Sequence, residues 1–232
     1  MKIIRGLTGA GALLACGVLA AACGSNSGSG QAAGRRLGAE YPAIKAAALR
    51  AHSVRMSGNL VQDGKPESVN LALVMPSSAA GSIAEGGTTY MIVVTPAQSY
   101  IDISKQFLQL GHLPTALCAK VCGKYLEVAS SASAFADISM SNLIKTVFDK
   151  PLSSAEAAIE LSPGTFRGQP AWRGTGTGET FYVGKGSTPY LLSVSKQGQT
   201  VTFTDWNTAT VSAPPVGQVL TATQLGALAG GG

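Results

Sequence analysis

The stretch Ser53-Val54-Arg55-Met56-Ser57-Gly58-Asn59-Leu60 puts Val54, Met56 and Leu60 on one side of an extended chain and Ser53, Arg55, Ser57 and Asn59 on the other. A period of two is the mark of a strand with one buried face. Asp63-Gly64 follows, a pair that favours a two-residue hairpin turn. Val69, Leu71, Leu73 and Met75 alternate again on the return. Pro76-Ser77-Ser78 turns the chain, residues 81–85 read as a third strand, and Gly86-Gly87 turns it once more. Residues 89–95 are apolar and β-branched on both faces, as a central strand requires, and Pro96-Ala97-Gln98 leads into Tyr100-Ile101-Asp102-Ile103. Turns this short leave no room for the crossover that parallel strands need, so the five strands are expected to form an antiparallel meander.

On the amino-terminal side the period is helical. Residues 39–51 are alanine-rich, Tyr41, Ile44, Ala48 and Ala51 share one face, and Pro42 suits a first helical turn. On the carboxyl side the middle of the chain turns helical again. Residues 105–110 and 113–121 read as short helices, 124–129 as a strand, and 137–150 as a helix capped by Asp137 and ended by Pro151. Residues 153–159 form a further short helix, with Ser153 and Glu156 spaced as a capping box. Strands are expected again at 169–174, 179–184, 190–196, 199–205 and 209–213, then Pro214-Pro215 and a short helical tail at 221–228. Two meanders around a helical insert predict an α+β fold: a single strongly curved antiparallel sheet with helices covering its concave face.

Composition narrows the class. The chain has 232 residues, 45% apolar and 12% charged, which is too apolar for a disordered chain. Beyond residue 23 no run approaches the ~18 apolar residues of a spanning helix. Lys2 and Arg5 precede an uncharged apolar stretch over residues 6–22, the layout of an export signal. Removing it leaves 15 basic against 12 acidic residues, an excess too small and scattered to suggest nucleic-acid binding.

The signal ends in Leu19-Ala20-Ala21-Ala22-Cys23-Gly24, which resembles the lipobox of bacterial lipoproteins, where the peptidase cuts before a cysteine carrying diacylglycerol. Leu13-Leu14-Ala15-Cys16 is a competing site with a better-placed leucine. Cys23 is favoured because its apolar region is longer and because a Gly/Ser-rich run suited to a tether follows it. Cutting there also leaves Cys118 and Cys122 as an even pair, whereas cutting at Cys16 would strand an exported thiol. The expected organisation is a signal peptide at 1–22, a lipidated Cys23 with linker at 23–37, a folded domain at 38–216 and a tail at 217–232. Acyl chains on Cys23 would make the membrane the first partner.

Chemistry-bearing motifs are few. Cys118 and Cys122 are expected to form a disulfide in an exported chain, with free thiols or a metal or redox site near His112 as the alternatives. A helical spacing of four is near the upper limit for that bond, so a helix end or loop is expected there. Gly174-Thr175-Gly176-Thr177-Gly178-Glu179 looks like a phosphate loop, but Phe181-Tyr182-Val183 after it favour a strand, so a hairpin is the better reading. His52 and His112 are the chain's two histidines, and neither sits in a hydrolase or zinc-protease pattern. Asp102 lies on an apolar strand and is expected to face solvent. No catalytic residues, metal ligands or cofactors are expected, and no ligand-binding residues stand out.

Several segments together resemble a known group: the lipobox, the polar linker, the Ser53-Val54-Arg55-Met56-Ser57-Gly58 strand, Tyr125-Leu126-Glu127-Val128, Gly168-Gln169-Pro170-Ala171, Tyr190-Leu191-Leu192 and Val211-Ser212-Ala213-Pro214-Pro215. The chain resembles actinobacterial lipoproteins of the LppX/LprA/LprF/LprG type, whose domain is similar to the LolA/LolB carrier fold. That resemblance implies a half-barrel sheet closed by helices. It also implies a non-enzymatic lipoprotein on the extracytoplasmic face of the plasma membrane that binds or transfers a lipid or glycolipid. The other expectation is an envelope accessory lipoprotein without a ligand cavity.

Overall fold

A computed structural model describes residues 34–62, 65–129, 135, 138–176 and 178–230, so Cys16, Cys23 and Asp137 lie outside the described residues. Cα packing divides the chain into two compact units. The first takes in His52–Leu143 and the chain from Phe203 onward, and the second takes in residues up to Ala51 together with Ile144–Thr202.

The first unit is the predicted meander. β1 (Ser53–Gln62), β2 (Lys65–Val74), β3 (Ser78–Glu85), β4 (Thr88–Val94) and β5 (Ser99–Asp102) pair in sequence order, each antiparallel to the next. Val54 faces Leu73 and Met56 faces Leu71 across the first hairpin, and all four are nearly inaccessible. Gln62 pairs with Lys65, and the turn expected at Asp63-Gly64 lies outside the described residues. Gly81 adopts φ 146°, and a Cβ there would lie 2.0 Å from the Asn70 carbonyl oxygen of β2. Only glycine lets β3 run that close to its neighbour at this point.

After β5 come α2 (Lys105–Leu110), a 3₁₀ turn over Thr115–Leu117 and α3 (Cys118–Val121), which lead to β6 (Tyr125–Val128). The expected continuous helix at 113–121 is thus broken into two short pieces. Ser104 caps α2 by accepting from the Phe107 N–H at 3.1 Å. β6 pairs antiparallel with β5 and parallel with β12 (Val219–Leu220), after which α6 (Ala222–Gly230) follows. The strand expected at 209–213 is absent. Asp205 and Asn207 take positive φ and turn the chain out of the ladder, and the two prolines that follow have no N–H to donate.

In the second unit α1 (Leu37–Arg50) begins two residues before the predicted start, which places Pro42 past the first turn. Ile44, Ala48 and Ala51 are buried as expected, Ala47 is buried beside them, and Tyr41 is only partly covered. α4 (Met140–Phe148) spans the junction of the units. Ser139 is its cap, accepting from the Asn142 N–H at 3.1 Å. α5 (Ser154–Ala157) carries the capping box between Ser153 and Glu156.

Then come β7 (Leu161–Phe166), β8 (Gln169–Gly176), β9 (Glu179–Gly184), β10 (Leu191–Lys196) and β11 (Gln199–Thr204), neighbours in that order and antiparallel throughout. β7 is absent from the sequence reading because it contains Pro163 and Gly164. It is the edge strand of its sheet, where a missing N–H is tolerated. The boundary of the units falls within β11. The α+β class and the single sheet are as expected. The one departure from antiparallel pairing among the described strands is β12 with β6.

Candidate functional site

In β9 the side chains of Glu179, Phe181 and Val183 are buried and those between them are not. The cross-strand partners in β10 are Lys196 for Glu179, Val194 for Phe181 and Leu191 for Val183. Leu191 and Val194 are three residues apart and would face opposite ways on a regular strand. An irregularity in the pairing between Leu191 and Ser193 shifts the phase and brings both to one face.

Over this apolar floor lie Leu37, Tyr41 and Ile44, on successive turns of α1, together with Val147, Phe148 and Leu152 at and beyond the end of α4. Together these residues line a partly open cavity of about 40 Å³. No charged side chain lines it.

The rim is held by polar contacts. The last carbonyls of a helix have no partner within it and need donors from elsewhere. Lys45 Nζ donates to the Phe148 carbonyl oxygen at 2.8 Å, and the Tyr41 hydroxyl donates to that of Lys150 at 3.3 Å. The Tyr41 and Phe148 rings meet at 5.9 Å. Burial raises the Tyr41 pKa, and the negative charges of Glu156 and Asp149 raise it further, so the hydroxyl stays a donor at physiological pH. Lys45→Met, which keeps the stem and removes the charged donor, is expected to cost ~1 kcal/mol of stability and to speed hydrogen exchange at the end of α4. Exchange mass spectrometry with urea unfolding checks both.

At one end of the floor the Lys196 ammonium sits 2.5 Å from the Glu179 carboxylate, with side-chain exposures of 13% and 1%. Burial raises the Glu179 pKa, Lys196 opposes that rise, and the nearby charge of Glu156 adds to it.

The residues singled out from sequence lie elsewhere. Cys118 and Cys122 are bonded in the first unit, with their Cα atoms 4.6 Å apart where α3 gives way to extended chain. His52 is exposed: its N–H donates to Asn207 Oδ1 at 2.9 Å and its carbonyl accepts from Met75. His112 is exposed in a turn. Asp102 is only half exposed. Its Oδ1 accepts from the Met91 N–H at 2.7 Å, and burial raises its pKa.

Gly174 and Gly176 lie inside β8, where a side chain would collide with Leu161 and Ile159. Gly178 turns the chain into β9, so this run is a hairpin and not an anion loop. Among the described residues no three His, Cys, Asp or Glu side chains cluster to hold a metal, and no helix is long and apolar enough to cross a membrane. The cavity residues escaped the sequence reading. The spacing of Leu37, Tyr41 and Ile44 was a usable signal, but the phase shift in β10 left none.

No protein-family model and no curated protein matches the chain. Among the solved structures similar to it are LprF and LppX. LprF from Mycobacterium bovis shares 12% identity over 77% of this chain and 95% of its own, with a TM-score of 0.47. The Mycobacterium tuberculosis lipoprotein LppX shares 13% over 76% of this chain and 98% of its own, with a TM-score of 0.43. Both names belong to the group that the sequence segments resemble. Nothing about this chain's ligand follows from them.

Proposed function

We propose that this protein is a non-enzymatic envelope lipoprotein, anchored through acyl chains on Cys23, that binds an apolar ligand between α1, the end of α4 and the β9–β10 floor. The observation that carries this reading is the cavity itself: an apolar gap bounded by two helices and two strands, with a rim built from a few side-chain bonds. The signal and lipobox-like segment support the anchoring, and the mature chain divides into a folded domain at 38–216 and a carboxyl-terminal segment at 217–232 that adds β12 to the sheet. A cavity of ~40 Å³ is far smaller than the ~150 Å³ that holds a benzene. An acyl chain is therefore admitted only when α1 or α4 lifts from the floor, and the structure is the closed form.

The same small volume favours a second reading, an accessory lipoprotein whose interior stays shut. Native mass spectrometry of protein purified from membranes separates the two. The first reading expects a co-purifying lipid adduct, reduced at least ~10-fold in Val194→Phe, which fills the gap at a cost typical of overpacking, about 1–3 kcal/mol. Adduct-free spectra from repeated preparations would leave the accessory reading standing. The intact mass of the same sample reports whether Cys23 is acylated.

A further inference from the structure

We infer that the edge of the second unit formed by Arg35, Trp172, Lys185 and the β7–β8 turn is a docking face for an anionic phospholipid surface. This inference rests on the anchored-lipoprotein reading and adds an orientation to it.

The argument begins with where the chain comes in. The Leu161 N–H donates to the Arg35 carbonyl at 2.7 Å, and the Leu37 N–H donates to that of Ile159 at 2.8 Å. Arg36 and Glu160 form an antiparallel bridge between those two bonds. The first described residues are thus laid as an extra rung beside β7, and the chain leading back to Cys23 leaves from this edge. Ten residues lie between Cys23 and Gly34, a reach of at most about 40 Å. An anchored protein therefore holds this edge nearer the bilayer than a long linker would.

Charge is concentrated in the same unit. From residue 34 onward the second unit carries ten basic and five acidic residues, while the rest of the mature chain carries five basic and seven acidic. The whole basic excess of the exported protein therefore sits in the unit that the tether enters. Two of its five acids, Glu156 and Glu179, are buried, and Glu40 is held by Arg35 at 2.6 Å.

The exposed cations gather around aromatic rings at the edge. The Arg35 guanidinium lies 4.7 Å and the Lys185 ammonium 4.5 Å from the centre of the Trp172 ring. Arg167, in the turn between β7 and β8, lies 5.6 Å from the Phe166 ring. That turn and Lys185 are at the same end of the strands, since Ala171 pairs with Gly184 and the Lys185 N–H reaches the Pro170 carbonyl. Glu40 answers the charge of Arg35, so the net positive charge of this edge comes from Lys185 and Arg167, and a layer of phosphates would meet it. Tryptophan beside arginine and lysine is also the composition that suits a bilayer interface, where the ring sits at headgroup depth and each basic residue is attracted by anionic lipid.

The test uses the mature, acylated protein in vesicles of phosphatidylcholine with or without phosphatidylglycerol, on a Trp206→Phe background so that Trp172 is the sole tryptophan. Brominated lipids should quench Trp172 when phosphatidylglycerol is present. Quenching should fall in 1 M salt, where the screening length is about 3 Å. Arg35→Glu with Lys185→Glu should lower the quenched fraction by about tenfold. Arg167→Glu in the β7–β8 turn should also lower it, and this change leaves the contacts of Trp172 untouched; circular dichroism confirms that both variants fold.

Equal quenching with and without phosphatidylglycerol, or no change on charge reversal, would overturn the inference. So would release by inorganic phosphate at matched ionic strength, which would mark a site for soluble anions. The intact mass of the sample shows separately whether acylation has failed. An unacylated protein that still sediments with phosphatidylglycerol vesicles would support the docking face alone.

Discussion

Replacing Glu179 by alanine is expected to destabilise the protein by about 3–5 kcal/mol, because it leaves the Lys196 ammonium buried without its counter-ion. The loss comes mainly from the stranded charge and not from any large net worth of the pair. Glu179→Met combined with Lys196→Met, which removes both charges and keeps the volume, should therefore lie close to wild type or above it. Urea unfolding of the three proteins at one pH makes the comparison.

The pH dependence has a definite sign. Burial holds the Glu179 pKa above the unfolded value of 4.5, so the folded state binds this proton more tightly than the unfolded state does. The corresponding stability is fully present below the unfolded pKa and is lost as pH rises through the folded one. A protonated Glu179 still offers its carbonyl oxygen to Lys196, as alanine does not, so wild type should gain stability on acidification toward that window and the double variant should lack this component. A wild-type profile identical to that of the double variant would show that Glu179 titrates normally.

Gly81→Ala is the second substitution with a large expected effect, a loss of ~3 kcal/mol or more. Its φ of 146° belongs to backbone that side-chain-bearing residues avoid, and the new Cβ would sit 2.0 Å from the Asn70 oxygen. A flexible side chain would swing away, but here the obstacle is the backbone of β2. The β2–β3 ladder must open or slip, and a slip of one residue would turn Val69, Leu71 and Leu73 outward. Thermal unfolding with hydrogen exchange across β2 and β3 checks this, since the protection lost should centre on residues 70–82. Retention of wild-type stability would mean that the strands are not held so closely.

The meander of the first unit was legible because each strand writes its buried face into its own residues. Val54 and Met56, then Val69, Leu71 and Leu73, announce a face regardless of what covers it. The capping box of α5 is equally local, since Ser153 and Glu156 bond within one turn. Where the reading failed, the deciding feature lay outside the stretch being read. Residues 209–213 alternate as a strand should, yet the turn at Asp205–Asn207 carries them away from any ladder. Pro163 and Gly164 argue against a strand, yet β7 forms because β8 offers partners on one side only. The expected cap at Asp137 lies outside the described residues, while Ser139 supplies the bond at the start of α4.

What the amino-acid sequence determined by itself is the alternation that makes the sheet, the apolar stripe of α1 and the pattern that resembles a lipobox, because each is a property of neighbours along the chain. What only the tertiary structure decided is the candidate site: the phase shift that turns Leu191 and Val194 to one face, the bonds from Tyr41 and Lys45 to the end of α4, the gap left above Phe181 and the cations drawn to Trp172. These depend on how surfaces from residues 35, 45, 148, 172 and 194 meet in space. Such a meeting leaves no periodic trace in the chain, since a void or a ring-stacked charge is set by the fit of several elements and by the repeat of none.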